Sequence, residues 1–496
     1  MEKLPGGLKN RQKDVPSNPP KASKQLEPLL EPYNPWWREP QGAWRSGLPG
    51  YRRPVVREIL ADLTELRQMV SITGPRRVGK TTALRQVIAH LLDHEKIPPA
   101  RILYFSFDDP QVYGSAELQR VIFDQLVERT HGKPGDKTLW YFFLDEIQRL
   151  PKWELYLKKY YDLGYPIRFV VSGSASSPIF RSSQESLLGR IKDRHLLPFS
   201  FREYCLYHFR EKTEFVEILE RHTNSRQLLL QGRGEEAVEY LTGLHSALAP
   251  FEHDIGRAVV DYCREGGFPE VWALKDPVRK IEYLMEQQVR KVLYEDLMAL
   301  TQYRKPENVL RFFVYLLAHP GMEINMSTVA KEAGVERRVV DDNLPRLEMT
   351  DLIIRIQKFS HKPLRVRQGN IKCYPADLAL RNAVLKTWID FSADPTTMGL
   401  YAENLVAHEL RKWPEAIEVT YYREKNQEVD FVVTHGGNRY LPLEVKYRKA
   451  PVAAASLRHF MKKYKLDFSV IITREREHQF ENGILHMPLR YFLLTN

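Results

Sequence analysis

The chain has 496 residues, 43% of them hydrophobic and 28% charged, with a formal net charge of +11 at neutral pH. This composition excludes collagen-like, low-complexity and membrane-embedded chains, and the length suits about two to four domains. No run of about 18 apolar residues occurs, and the opening MEKLPGGLKNRQKD lacks the apolar core of a signal peptide, so the expected setting is the cytoplasm, without membrane contact.

The positive excess favours a polyanionic partner, because neutralising phosphates releases counterions. Cys205, Cys263 and Cys373 are isolated, so neither a zinc site nor a disulfide framework is expected.

Residues 1–50 hold nine of the 32 prolines and few aliphatics, which predicts a disordered or extended tail. Its YNPWWREPQGAW stretch runs against that reading. Trp36, Trp37 and Trp44 are costly to leave exposed, so the tail is expected to dock on its own body or on a protein partner.

From residue 51 helices and strands alternate. VVREILADLTELR, TTALRQVIAHLLDHE, AELQRVIFDQLVERT and WELYLKKYYDLG read as helices, and QMVSIT, RILYFSF, LWYFFLDE and IRFVVSGS as strands. Apolar strands separated by helices predict a parallel sheet covered on both faces, over 51–200. Residues 201–304 read as a helical lid and linker. Residues 305–378 have the size of a winged helix, with VERRVVDDNLPRL as recognition helix and LIIRIQKF with IKCYPAD as wing strands. Residues 379–496 form another small α/β unit.

GPRRVGKTT, from Gly74 to Thr82, matches GxxxxGK[ST] between a predicted strand and a predicted helix. Gly74 and Gly79 let the loop through Pro75, Arg76, Arg77 and Val78 curl its N–H groups towards phosphates. Lys80 then reaches the β- and γ-phosphates, and Thr81, followed by Thr82, ligates Mg²⁺. LWYFFLDE places Asp145 and Glu146 at a strand's C-terminal tip, where open parallel sheets bind ligands. Asp145 is the expected Mg²⁺ partner of Thr81, and Glu146 the base that orients water. Ser172 or Ser174 would be a polar sensor beside the γ-phosphate, and Arg190 an arginine finger acting on a neighbouring subunit of a homo-oligomer.

GPRRVGKTT, FLDEIQ, VVSGSAS, LLGR, LPFSFREY and GGFPEVW together resemble the prokaryotic AAA-type (AAA+/STAND-like) P-loop ATPase family, over roughly residues 51–490. That resemblance implies an α/β fold class: a P-loop NTPase parallel sheet with helical lid, a winged-helix domain and a C-terminal restriction-endonuclease-like domain of the PD-(D/E)xK type. ATP and Mg²⁺ are the cofactors it implies.

In EVDFVV, strand alternation puts Glu428, Asp430 and Val432 on one face. After the turn THGGNRY, Glu444 and Lys446 share a face of the paired strand. Upstream, helical spacing sets Glu403 on the apolar stripe of Val406, Ala407 and Leu410. Asp430 and Glu444 would hold a metal, with Lys446 orienting water, and Glu403 would complete the site. The same alternation also describes a salt-bridged edge strand.

From Lys331 to Lys372 there are ten Lys or Arg against six Asp or Glu. Arg337, Arg338 and Arg346 on the recognition helix, with Lys362, Arg365 and Arg367 on the wing, are the expected DNA contacts. The expected function is a DNA-binding ATPase whose ATP binding and hydrolysis control DNA engagement, with metal-dependent DNA cleavage as the sharper version. The alternative is a regulatory switch whose C-terminal domain binds DNA or protein without cutting.

Overall fold

The computed structural model describes residues 27–130, 132–133, 135, 137–174, 187–297, 306–361, 370–388, 395–414, 416–437, 439–447, 454–474 and 477–495. Strands β1 (Met69–Thr73), β2 (Ile102–Ser106), β3 (Trp140–Asp145), β4 (Ile167–Ser172) and β5 (Ile191–His195) form a parallel sheet in the order β2-β3-β4-β1-β5. Helices α1 (Pro54–Glu65), α2 (Lys80–Asp93), α3 (Ala116–Arg129) and α4 (Trp153–Asp162) cover it. β1 to β4 are the four predicted strands, apolar because both faces are buried.

β5 has no counterpart in the predicted elements. Its IKDRH sequence is half exposed along an edge, and its charges are used locally. Asp193 accepts hydrogen bonds from Ser71 and Thr73 of β1, while Arg194 pairs with Glu58 and Asp62 of α1. Charged residues on an edge strand also discourage pairing with another chain.

The opposite edge, β2, is covered by residues 27–50. The disordered or extended tail expected there is instead a run of helical turns from Glu27 to Arg45. The Asn34 side chain accepts from Tyr104 N–H (2.7 Å) and donates to Tyr104 O (2.9 Å), mimicking a strand neighbour. Both indoles of Trp36 and Trp37 donate to Ile102 O, and Trp44 packs edge-on against the buried Trp36. The tryptophans are thus occupied by the chain's own sheet.

A helical layer follows, α5 (Phe201–His208), α6 (Thr213–Arg221), α7 (Ser225–Gln231), α8 (Gly234–Leu248), α9 (Glu252–Glu265) and α10 (Pro277–Leu284), continued by a π-helical stretch Met285–Leu297. Ser200 and Glu203 form a capping box that starts α5.

Beyond it, α11 (Pro306–Ala318), β6 (Glu323–Ile324), α12 (Met326–Glu332), α13 (Arg337–Met349), β7 (Ile353–Lys358) and β8 (Ile371–Pro375) form a three-helix unit with an antiparallel β7-β8-β6 sheet. After α14 (Leu378–Leu385) and α15 (Pro395–Arg411), β9 (Ala416–Glu424), β10 (Gln427–His435) and β11 (Arg439–Lys446) form a meander. α16 (Ala455–Tyr464) crosses to β12 (Ser469–Thr473), parallel to β11, and β13 (Gln479–Glu481), β14 (Ile484–Pro488) and α17 (Leu489–Leu493) finish the fold.

The two C-terminal units share one sheet. β7 pairs in parallel with β9 at Gln357–Thr420 and Lys358–Tyr421, giving nine strands in the order β13-β14-β12-β11-β10-β9-β7-β8-β6. The division at residue 378 therefore runs through continuous hydrogen bonding, which brings β8 within reach of α15 and β10. Among the described residues no helix is long and apolar enough to cross a membrane, and all three cysteines are buried free thiols.

Candidate functional site

The loop from Gly74 to Gly79 joins β1 to α2. At Gly74, φ is +146°, and a β-carbon would lie 2.1 Å from Leu196 O, so only glycine lets the loop pass β5 this closely. Lys80 is buried and its ammonium donates to Gly74 O (2.9 Å) and Pro75 O (2.7 Å). Burial lowers its pKa, against the opposing pull of Glu146 and Asp145.

Asp145, 4% exposed at the tip of β3, is held by neutral donors. Thr81 Oγ1 and Tyr104 OH each donate to Oδ2 at 2.7 Å, and Ser172 donates to Oδ1. Thr81 is itself exposed, and its hydroxyl with the buried Asp145 carboxylate behind it supplies adjacent oxygens, the donor type that Mg²⁺ prefers. Glu146 sits in the left-handed region (φ 50°), and Gln148 donates to its Oε2. Burial raises the Glu146 carboxyl above its ordinary value despite Lys80 nearby, which moves it towards the range of a general base.

Of the two serines expected as sensors, Ser172 is committed to Asp145, and Ser174 is buried two residues further on. Tyr104, which sequence reasoning missed, is an Asp145 donor because β2 lies beside β3. Arg190 lies on the surface, where its Nε donates to Asp162 at the end of α4 (2.7 Å). The P-loop arginines reach the helical layer. Arg77 pairs with Glu270 (2.5 Å) of the GGFPEVW stretch, and Gln288 donates to Arg76 O (2.8 Å).

Behind the loop runs a polar chain that leaves the sheet. Thr73 Oγ1, one residue before Gly74, is 2.9 Å from His195 Nδ1, and His195 Nε2 is 3.2 Å from Asp351 Oδ1. Asp351 starts the turn into β7 with φ 57° and accepts from Arg411 at the end of α15. Burial raises the Asp351 carboxyl, but its bond to His195 and the charge of Arg411 outweigh that and hold it below its ordinary value.

In the C-terminal unit the register Phe431↔Leu443 puts Asp430 opposite Glu444. Val445 N–H donates to Asp430 Oδ2 (2.8 Å), and Lys446 Nζ is 2.7 Å from Glu444 Oε1. Glu403 joins them from α15, with Val406, Ala407 and Leu410 buried on the same stripe. Tyr374 OH donates to Glu403 Oε1 (2.7 Å).

One residue in this cluster was not anticipated. Lys372, 3% exposed on β8, sends its ammonium to Glu428 Oε1 (2.7 Å) and Glu403 Oε1 (3.5 Å). Its signal was a single lysine in the apolar run IKCYP. Burial pushes the carboxyls of Glu403, Asp430 and Glu444 up, and for Glu403 the charge of Asp430 adds to it. Among the described residues no group of three or more His, Cys, Asp or Glu side chains is arranged to hold a metal ion. The expected metal pair Asp430 and Glu444 is instead taken up by a backbone amide and by Lys446, so these residues as arranged do not fit a divalent ion.

On α13, Arg337 pairs with Asp341 and Arg338 with Asp342, each one turn away, and Arg346 is half-buried beside Asn343. The expected contacts Lys362, Arg365 and Arg367 lie outside the described residues.

The five-stranded parallel sheet, the P-loop and the hydroxyl-held Asp145 define a P-loop nucleotide-binding module. Residues 66–205 match the family model of an AAA domain, so this module is an AAA-type P-loop ATPase domain. Residues 256–388 and 398–492 match two models described as domains of unknown function, DUF8612 and DUF4143. Two relatives from Methanocaldococcus jannaschii align with most of the chain. Uncharacterized protein MJ1544 is 26% identical over 75% of this chain and 73% of its own, and uncharacterized protein MJ1637 is 24% identical over 86% and 85%. Among solved structures, the Aeropyrum pernix ORC1 protein in complex with DNA aligns over 74% of this chain and 97% of its own, at 15% identity and a TM-score of 0.29. The closed state of Hsp104 aligns over 53% and 49%, at 15% identity and a TM-score of 0.27.

Proposed function

We propose that the protein is a DNA-engaging ATPase switch, in which ATP binding and hydrolysis at Lys80, Thr81, Asp145 and Glu146 change how the C-terminal units meet DNA. The observation that carries this reading is the polar chain from Thr73 through His195 and Asp351 to Arg411, which ties the strand feeding the P-loop to β7 and α15. A nucleotide that shifts Gly74 and Thr73 acts directly on His195. Mg²⁺ bound by Thr81 and Asp145 would neutralise the charge developing on the phosphates.

The order helix, strand, helix, helix, strand, strand from α11 to β8 supports a winged helix, with Arg337 and Arg338 exposed on its third helix. Leu188, 83% exposed beside Arg190, supports a surface that another copy covers, with Arg190 leaving Asp162 for the neighbour's γ-phosphate. The C-terminal meander with its helical crossover supports a restriction-endonuclease-like fold. Lys372, reaching this unit from β8, speaks against cutting by Glu403, Asp430, Glu444 and Lys446.

The test is ATP hydrolysis with and without duplex DNA, beside plasmid nicking in Mg²⁺ or Mn²⁺. DNA-stimulated hydrolysis that Lys80→Ala abolishes, with intact plasmid, is the expected result. Hydrolysis surviving Lys80→Ala overturns the phosphate site, and nicking lost in Asp430→Ala restores the nuclease reading.

A further inference from the structure

We propose that Lys372 is the resident cation of the C-terminal site, an ammonium supplied by β8 in place of a divalent ion. This rests on the reading of the C-terminal unit as nuclease-like, and it explains why the carboxylates do not fit a metal as they stand.

Four carboxylates converge here from three elements, Glu403 from α15, Glu428 and Asp430 from β10, and Glu444 from β11. Glu444 is buried while Glu403 and Glu428 keep part of their surface in water, so the set is partly shielded from solvent and favours a cation among the carboxylates. Lys372 meets that demand from inside the protein. Its side chain is 3% exposed, its Nζ lies between Glu428 and Glu403, and Tyr421 lends a ring face 5.5 Å away. Glu403 keeps its place through Tyr374, two residues further along β8, so one strand supplies both the charge and the orienting hydroxyl.

Compensation is incomplete at the far side. Glu444 is 4% exposed, its Oε1 is paired with Lys446, and its Oε2 is buried with no hydrogen-bond partner. The unpartnered Oε2 stands beside Asp430, so the two ammonium groups do not saturate the cluster. A lysine ammonium cannot polarise water as a divalent ion does, so the ammonium-filled site lacks the Lewis acid that assisted phosphodiester cleavage uses.

Mn²⁺ binding to the full chain, read by electron paramagnetic resonance, tests this through the part of the uptake that Asp430→Asn removes. The wild type and Lys372→Arg should show no such part. Lys372→Met, and Lys372→Gln which keeps polar contact with Glu403 and Glu428 where methionine does not fold, should each gain one Asp430-dependent ion. Asp430-dependent uptake in the wild type overturns the role of Lys372 while keeping the carboxylates as an ion site. No uptake by the folded neutral variants, or uptake indifferent to Asp430→Asn, overturns both.

Discussion

Two acidic sites in one chain are built on opposite principles. At the P-loop, Asp145 is held by three neutral hydroxyls, of Thr81, Tyr104 and Ser172, and Lys80 spends its protons on backbone carbonyls. In the C-terminal unit the carboxylates of Glu403, Glu428 and Glu444 are held by the ammonium groups of Lys372 and Lys446. Neutral donors orient a carboxylate and leave its charge for an incoming metal and nucleotide, whereas an ammonium cancels it. The difference lies in the partners, since acids at strand ends are common to both.

The comparison breaks most sharply at the P-loop. Asp145→Asn keeps the size of the side chain but removes the charge, and ATP turnover should fall by roughly 10²-fold or more. The matching Asp430→Asn should leave turnover within about twofold, since Asp430 stands outside the ATP site. A steady-state phosphate-release assay on both variants checks the pair.

Two buried histidines of the C-terminal side each lose stability in acid. Burial, with Lys412 and Arg411 nearby, lowers His408 from 6.5 to about 3, and burial with His245 and Arg490 lowers His478 likewise to about 3. Both folded values are depressed, so this stability is fully present above pH 6.5 and is lost as pH falls from there towards 3. From pH 6.5 to 4 the loss should be on the order of 3 kcal/mol for His408. Glu409, raised by burial to about 7, and the raised carboxyls of Glu403, Asp430 and Glu444 act in the opposite sense, so the His408 share is read as the difference in urea-midpoint slope between wild type and His408→Asn.

Tyr104→Phe removes one of the three hydroxyls on Asp145 and should cost about 1 kcal/mol, with turnover reduced roughly fivefold. A separate, binding effect falls on α13. Arg338→Ala should weaken duplex DNA binding less than about tenfold and lower the slope of log affinity against log salt by about 1.

How far the sequence alone reached follows from the same contrast. The P-loop, Asp145 and Glu146 were legible because their spacing lies within single strand–loop–helix segments. Glu403, Asp430, Glu444 and Lys446 were brought together as helical and strand periodicity implied. Tyr104, His195 and Lys372 were not legible, because their roles depend on which strand lies beside which: β2 beside β3, β5 beside β1, and β8 beside β7 in a sheet joined to β9. β5 itself was hidden by its charges; the tryptophans signalled docking on the chain's own body or on a partner, but the helical form of residues 27–45 was hidden because short turns carry no long periodicity.

Duplex DNA affinity with and without a non-hydrolysable ATP analogue tests most directly whether the ATP site is coupled through His195 to the C-terminal units proposed to engage DNA. In the wild type the analogue should shift the Kd by about tenfold, a coupling near 1.4 kcal/mol. His195→Ala, which removes the contacts to Thr73 and Asp351 at an exposed position, should reduce that shift to about twofold or less. The same Kd in both nucleotide states of the wild type would contradict the account.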